Sequence, residues 1–448
     1  MNKQYIKNIF LITAAAVAIG GCKPEINSPS GTTHGSADFS RYIAVGNSLT
    51  AGYADGGLYL EGQKNSYPSM IAAQMASVGG GTFTQPLFDQ SQANGSGYLT
   101  LTGIDKTTGS PITANVTTNL AITGQTPIPG FGNVTTYAKY TGTDLNNYGV
   151  PGIKLLHITL AAYGNLNGFY ERLLPGAEGT HNTTYLDFIT SKPFTFFSNW
   201  LGNNDALGYA TSGGAGDVLT DKTVFAQLYT ALIAKMTAGG AKGVCATIPD
   251  VTSIPYFNTV TPAAILAGVQ KANPAVQAIY INAKTAADAS TTYAPRAAKS
   301  TDLIVLTFPT SLIGTPVATP AGNLPYGLTP YTPIDNKYVL DENEVAIAKD
   351  YVNSYNNTIK SVAASKGLAV ADMYTFLNDV KAKGLLIDGV SLNSSYITGG
   401  LFSLDGVHLT PRGYAVVANQ FIKAINAQYG STIPSVNVSA YRGVKFPN

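Results

Sequence analysis

Short apolar runs that end at glycine alternate along this chain with segments of helical period. Residues 42–45 (Tyr-Ile-Ala-Val) stop at Gly46, and the run 194–200 stops just before Gly202. Residues 243–248, 303–308 and 368–371 read as three further buried strands. Between them, residues 67–78 look helical. Val224, Leu228, Ala231 and Leu232 keep helical spacing behind Asp221, a capping residue. Val345, Ala348, Val352, Tyr355, Ile359 and Val362 mark a long amphipathic helix. Pro411 opens a last helix reaching about residue 427, proline being well suited to a first helical position. Strands alternating with helices predict a parallel sheet covered on both faces. In such folds ligands bind beyond the carboxyl ends of the strands.

Two stretches break the alternation. Residues 78–143 are rich in Gly, Thr and Asn, and residues 251–339 in Pro, Ala and Tyr. Both read as insertions on the core sheet, which shape a substrate cleft or cover a face. The chain has 448 residues, 45% of them hydrophobic, enough to bury a sizeable core. Charged residues make up only 12%, against roughly a quarter in an ordinary soluble protein. Thr, Asn, Ser and 27 Tyr supply the polarity instead, which suits an exported protein with many loops. The net charge is +2 with no basic run, which argues against nucleic acid as a partner.

The amino terminus carries Lys3 and Lys7, an apolar stretch over residues 9–19, and then Ile19-Gly20-Gly21-Cys22. This pattern predicts a bacterial lipoprotein leader over residues 1–21, cleaved before Cys22, which is then acylated. The stretch is too short for a lasting membrane span. Residues 22–37, rich in Ser, Gly, Thr and Pro, read as a flexible tether; residues 38–430 as the folded domain; residues 431–448 as a tail. The location expected is the bacterial cell envelope, with the lipid as membrane anchor. Lys23, which is not acidic, favours the outer membrane by analogy with known sorting. If Cys22 carries lipid, Cys245 has no partner and is expected to be a buried, inert thiol.

Candidate chemistry begins with the four histidines. His34 lies in the tether, His157 in an expected helix and His181 in a polar loop; none has a carboxylate within the next few positions placed to orient it. His408 stands in Leu404-Asp405-Gly406-Val407-His408-Leu409-Thr410-Pro411. A serine nucleophile needs a base, and that imidazole needs a carboxylate to fix its tautomer. Asp405, three residues before His408 in a tight turn, is placed to be that carboxylate. Taken alone, the same residues describe an Asx-turn capping the Pro411 helix. Ser48 lies in Gly46-Asn47-Ser48-Leu49-Thr50, at the end of the first strand and exposed to a ligand crevice. Taken alone, it is a capping serine. The chain has no Gly-x-Ser-x-Gly elbow. Asn147-Tyr148-Gly149-Val150-Pro151-Gly152 ends in a glycine whose amide can approach a substrate oxygen closely. Leu201-Gly202-Asn203-Asn204-Asp205 puts a carboxamide donor behind a strand. Ester hydrolysis passes through an oxyanion that such donors stabilise.

In this order, the segments around Ser48, Asn147 to Gly152, Gly202 to Asp205, and Asp405 to His408 resemble the four sequence blocks of the SGNH (GDSL-like) hydrolases. They span residues 41–427, most of the chain behind the leader. By that resemblance Ser48 is the nucleophile, His408 the base and Asp405 its support. Ser48, Gly152 and Asn204 form the oxyanion hole. Gly149 competes for the glycine role. Gly152 is preferred because the family glycine follows an asparagine at the spacing that Asn147 shows. The chain departs from the family in carrying Asn47 where the first block usually has Asp.

The resemblance implies a flavodoxin-like three-layer α/β/α sandwich with a parallel central sheet and the two large insertions. It implies hydrolysis of ester bonds in a small-molecule or glycan substrate, the family's substrates including lipids, thioesters, aryl esters and O-acetylated sugars, with no cofactor and no metal. No His-Glu-x-x-His and no cysteine cluster suggests otherwise. The competing reading is a lipid-anchored protein that binds glycan or lipid through its tyrosines and has lost turnover.

Overall fold

A computed structural model describes residues 31–106, 110–128 and 132–447. The expected leader and Cys22 lie outside the described residues. Five strands form the central sheet: β1 (Tyr42–Gly46), β2 (Asn147–Gly149), β3 (Phe196–Trp200), β4 (Lys242–Ala246) and β5 (Ala369–Ala371). All neighbours are parallel, and the order is β5-β4-β3-β1-β2. Read from the β2 edge this is the flavodoxin-like 2-1-3-4-5 order. The register sets Gly46 opposite Gly149 on one side and Trp200 on the other. The carboxyl ends of three strands are therefore level.

The helices follow from amphipathic spacing and from their caps. They include α1 (Tyr67–Met75), α2 (Lys222–Thr237), α3 (Glu342–Ser365) and α4 (Pro411–Tyr429). The Asp221 carboxylate accepts from the amides of Thr223 and Val224 at the start of α2. Asp341 and Glu344 close a capping box on α3. Thr410 accepts from the Gly413 amide ahead of α4, whose first residue is Pro411. Consecutive strand residues point to opposite faces, and β3 shows what each face meets. Trp200 packs on Tyr67 of α1 and Phe421 of α4, while the Asn199 amide donates to the Tyr229 hydroxyl of α2. The sheet is thus sandwiched between helix layers, as the alternation predicted.

Some expectations change. The run 303–308 is not a sheet strand. Only Leu303–Ile304 is extended, and it pairs antiparallel with Val339–Leu340 outside the central sheet. Ile304, Val305 and Phe308 are buried there, so the run is apolar because it forms the core of the second insertion. Conversely, residues 147–149, read only as a glycine-rich turn, form the edge strand β2. It is short, and its polar side chains hide it from any periodicity: Asn147 Nδ2 donates to the Thr50 carbonyl. The first insertion forms two antiparallel hairpins, Tyr98–Ile104 with Pro111–Val116 and Ile122–Ile128 with Gly132–Tyr137.

The tether ends earlier than residue 37. Thr33–Asn448 is one compact unit. The Ser36 amide donates to the Tyr429 carbonyl at 2.8 Å and the Thr432 amide to the Thr33 carbonyl at 2.9 Å. Backbone pairing fixes this segment although its composition is that of a linker. The tail is also held: Ile433, Val436 and Val438 are buried. Cys245 is a buried free thiol, as expected, and burial pushes it up to about 12. Among the described residues no helix is long and apolar enough to cross a membrane.

Trp200 is the sole tryptophan and is fully buried, its indole N–H donating to the Thr247 carbonyl. Phe421 lies 5.6 Å from it and stacks on Tyr67 at 4.6 Å. Phe421→Ala should therefore cost about 3–5 kcal/mol of stability. Urea unfolding followed by Trp200 fluorescence measures this. A loss below about 1 kcal/mol would mean that this layer is not closely packed.

Candidate active site

β1 delivers the first component. Gly46 has no room for a side chain, since a Cβ there would sit 2.0 Å from Thr50 Oγ1. The chain can therefore turn straight from the strand into a single helical turn, Ser48–Ala51. The Asn47 side chain caps that turn by accepting from the Leu49 amide. An aspartate carboxylate could accept the same bond, so the departure at Asn47 leaves the capping contact intact. Ser48, the first helical residue, has a backbone N–H that precedes the helix's own hydrogen-bonded amides.

The loop ahead of α4 supplies the imidazole. His408 Nε2 lies 2.9 Å from Ser48 Oγ, and His408 Nδ1 lies 2.8 Å from Asp405 Oδ2. Asp405 Oδ1 also accepts from the amides of Val407 and His408, at 2.9 and 2.8 Å. The Asx-turn and the His–Asp pair are therefore both present: one carboxylate shapes the turn and holds the ring. Burial works against the Asp405 charge, but His408 and the two amides outweigh it and hold the carboxyl well below the usual range. The Tyr53 ring lies 4.6 Å from the imidazole.

Two further contacts on Asp405 come from segments that the sequence reading passed over. The Gly56 amide donates to Oδ2 at 2.8 Å, and the Ser403 hydroxyl donates to Oδ1 at 3.1 Å. Gly56 and Asp55 form a tight turn, with φ of 76° and 53°. The Asp55 carboxylate accepts from the Leu404 amide at 3.0 Å and from the Tyr59 hydroxyl at 2.8 Å. Burial raises Asp55 above its ordinary value. The signal available was the Asp-Gly pair, which favours a turn with both residues at positive φ.

Gly152 and Asn204 face the same space. Ser48, Gly152, Asn204 and His408 line one open cavity of about 560 Å³. Gly152 has φ of 82°, which favours glycine, and no atom lies nearer than 3.5 Å to where its Cβ would be. Gly149 is not in this position. It lies buried in β2, its amide donates to Asn147 Oδ1, and a Cβ on it would sit 2.3 Å from the Ala51 nitrogen. One N–H of the Asn204 carboxamide donates to the Ile153 carbonyl at 2.9 Å, which leaves the other for a ligand.

The remaining histidines lie elsewhere. His34 bonds the Ala37 carbonyl within the same turn, and His157 accepts from the Lys154 amide and stacks on Tyr163. Burial first, then Lys154, pulls His157 down to about 4. His181 is buried with its Nε2 3.1 Å from Glu171. It does have a carboxylate, but one that precedes it by ten residues. No cluster of His, Cys, Asp and Glu among the described residues could hold a metal.

A model of the GDSL-like lipase/acylhydrolase family matches residues 42–421. The chain belongs to that family. It is a GDSL-type esterase/lipase, and ester hydrolysis is its general activity. Solved structures similar to it include LAE5, an alpha/beta hydrolase enzyme from the metagenome of Lake Arreo, Spain, at 12% identity and TM-score 0.36, covering 88% of this chain and 97% of that one. Another is the lipase/acylhydrolase from Enterococcus faecalis, at 10% identity and TM-score 0.33, covering 88% and 100%. A comparison with curated proteins found no match.

Asp205, which immediately follows Asn204, ties the site's donors together. It is fully buried and accepts from the Leu155 amide at 2.7 Å and the Thr220 hydroxyl at 2.6 Å. It thereby holds the segment after Gly152 against the helix that begins at Asn204. Burial outweighs these bonds and raises its carboxyl to about 6 from 3.8. A raised acid takes up a proton on folding, so its contribution is greatest below pH 3.8 and declines as pH rises through 6. Asp205→Asn removes that decline, worth about 3 kcal/mol in all. The stability difference between wild type and variant, from urea melts at pH 4 and pH 7, should shift by this order in the variant's favour at pH 7. An unchanged difference would show that the carboxyl titrates alike in both states.

Proposed function

We propose that this family member cleaves carboxylic esters through an acyl-serine formed at Ser48. The single observation that supports the reading most is the hydrogen-bonded line Ser48–His408–Asp405, with contacts of 2.9 and 2.8 Å. His408 Nε2 takes the Ser48 proton as Oγ attacks the ester carbonyl. Asp405 keeps the other ring nitrogen protonated and stabilises the imidazolium. The oxyanion accepts from the amides of Ser48 and Gly152 and from the Asn204 carboxamide. The tetrahedral adduct collapses, the carbon–oxygen bond to the alcohol breaks, and His408 returns its proton to the departing oxygen. Water, deprotonated by His408, then releases the acid from Ser48 by the same route.

Ser48→Ala should lower turnover of a short-chain aryl ester by roughly four orders of magnitude or more. It should also abolish labelling by a fluorophosphonate probe while leaving the melting curve in place. Wild-type turnover in this variant would remove Ser48 from the mechanism. Asn204→Ala should lower kcat by about a hundredfold to a thousandfold with little change in KM. An effect confined to KM would assign Asn204 to substrate binding alone.

The leader pattern supports a lipid anchor on Cys22, and a site of action at the bacterial envelope, with Lys23 favouring the outer membrane. Cells fed an alkyne fatty acid should label the wild-type protein but not Cys22→Ser. Equal labelling of both would overturn the anchor.

A further inference from the structure

The reaction at Ser48 makes no use of one buried acid, Asp55. Its backbone stands at φ of 53°, in the left-handed region, where glycine would sit at lower cost. Yet the side chain is engaged on both oxygens. One accepts from the Leu404 amide at 3.0 Å, the other from the Tyr59 hydroxyl at 2.8 Å. Burial, and then the Asp55 charge, hold the Tyr59 phenol well above its ordinary range, so it remains a donor. The Arg442 guanidinium donates in turn to the Tyr59 oxygen at 3.4 Å and pairs with Glu61. Both Asp55 oxygens therefore act as acceptors, as in an ionised carboxylate.

The turn is zipped residue by residue onto the segment that ends at Asp405. The Asp55 amide donates to Ser403 Oγ at 2.9 Å, the Asp55 carboxylate takes the Leu404 amide, and the Gly56 amide donates to Asp405 Oδ2 at 2.8 Å. Ser403 Oγ donates onward to Asp405 Oδ1. Leu404 is gripped from its other side by the Tyr396 hydroxyl, which donates to its carbonyl at 2.6 Å. Oδ2, which takes the Gly56 amide, is also the oxygen that faces His408 Nδ1. A carboxylate held only by its own loop could swing about its side-chain bonds. Donors from two separate segments fix where that oxygen meets the ring.

The groups around His408 bear on how its charge is felt. Asp405 is on its own loop, Tyr53 lies against its ring, and Tyr137, Tyr256 and Tyr396 line the cavities that it borders. Tyr414 of α4 bonds the Tyr53 carbonyl, and Arg442, Glu61 and Lys445 stand beyond Tyr59. Asp55 lines none of the cavities beside His408. Any influence that it has on the ester passes through Asp405.

We propose that Asp55 is a positioning residue for the reaction. Through Ser403 and Leu404 it holds Asp405 in line with His408, and so governs how firmly the imidazolium is stabilised when Ser48 gives up its proton. This rests on the acyl-serine reading above.

The test uses the full chain in detergent and a short-chain aryl ester, with rates expressed per site titrated to completion by a fluorophosphonate. Asp55→Gly suits the left-handed turn and removes the clamp. It should lower kcat about tenfold to a hundredfold and leave KM within about twofold. The acid limb of kcat/KM, which reports the base, should move down by about half a pH unit, because a loosely held Asp405 stabilises the imidazolium less. Asp55→Asn tolerates the same turn and keeps an oxygen for the Leu404 amide, so kcat should return to within about threefold of wild type. Ser403→Ala, a small change that serves if Asp55→Gly folds poorly, opens the zip at its first bond. It should lower kcat about threefold to tenfold with KM unchanged. A lowered melting temperature with wild-type kcat and acid limb in Asp55→Gly would overturn the proposal. So would Asp55→Asn as impaired as Asp55→Gly, or wild-type kcat in Ser403→Ala. Wild-type protein that takes up no fluorophosphonate removes the serine reading, and this inference with it. Full labelling with an unaffected Asp55→Gly removes this inference alone.

Discussion

One carboxylate gathers the site. Asp405 accepts from His408 Nδ1, from the amides of Val407, His408 and Gly56, and from the Ser403 hydroxyl. Gly56 is 349 residues away in sequence. Beside the Asp55–Leu404 and Ser36–Tyr429 contacts, the first part of the chain, which carries Ser48, and the last part, which carries His408, are thus joined at this largely covered acid. An unpaired buried carboxylate would be costly, so its partners and its charge sustain one another. The same bonds that make the acid tolerable in the interior fix the ring that it serves.

The second constraint is the sheet. The order β5-β4-β3-β1-β2 reverses direction around β1, so the segments that leave β1, β2 and β3 all open onto one crevice. Ser48 follows β1, Gly152 follows β2 and Asn204 follows β3. Their convergence is a property of topology rather than of any local motif. Asp205 then pins the Leu155 amide, which ties the segment after Gly152 to the helix that begins at Asn204.

Around this common frame the insertions differ from the core in kind. The strands β1 and β3 are buried throughout, whereas most residues of the first insertion's hairpin strands are exposed or half-buried. The low charge of the whole chain reaches the cavities beside His408, where among the described residues no Lys or Arg is found.

By itself the sequence determined the layers, the main helices with their caps, and the identity of Ser48, His408 and Asp405 as a candidate set. The layers and helices follow from short-range rules, apolar runs and helical spacing, whereas the candidate set follows from the resemblance of four ordered blocks, since Asp405 and His408 taken alone describe only an Asx-turn. It also marked Gly152 and Asn204 through their blocks. Only the tertiary structure decided that the run 303–308 lies outside the sheet and that 147–149 lies within it. A buried apolar run does not encode its partner strand, and a polar three-residue edge strand has no periodicity to read. The contact of the Asp55–Gly56 turn with Asp405, the Asp205 tie and the pairing of His181 with Glu171 were hidden for a similar reason. Each depends on which distant segment occupies the neighbouring volume, and that is set by packing rather than by adjacency in the chain.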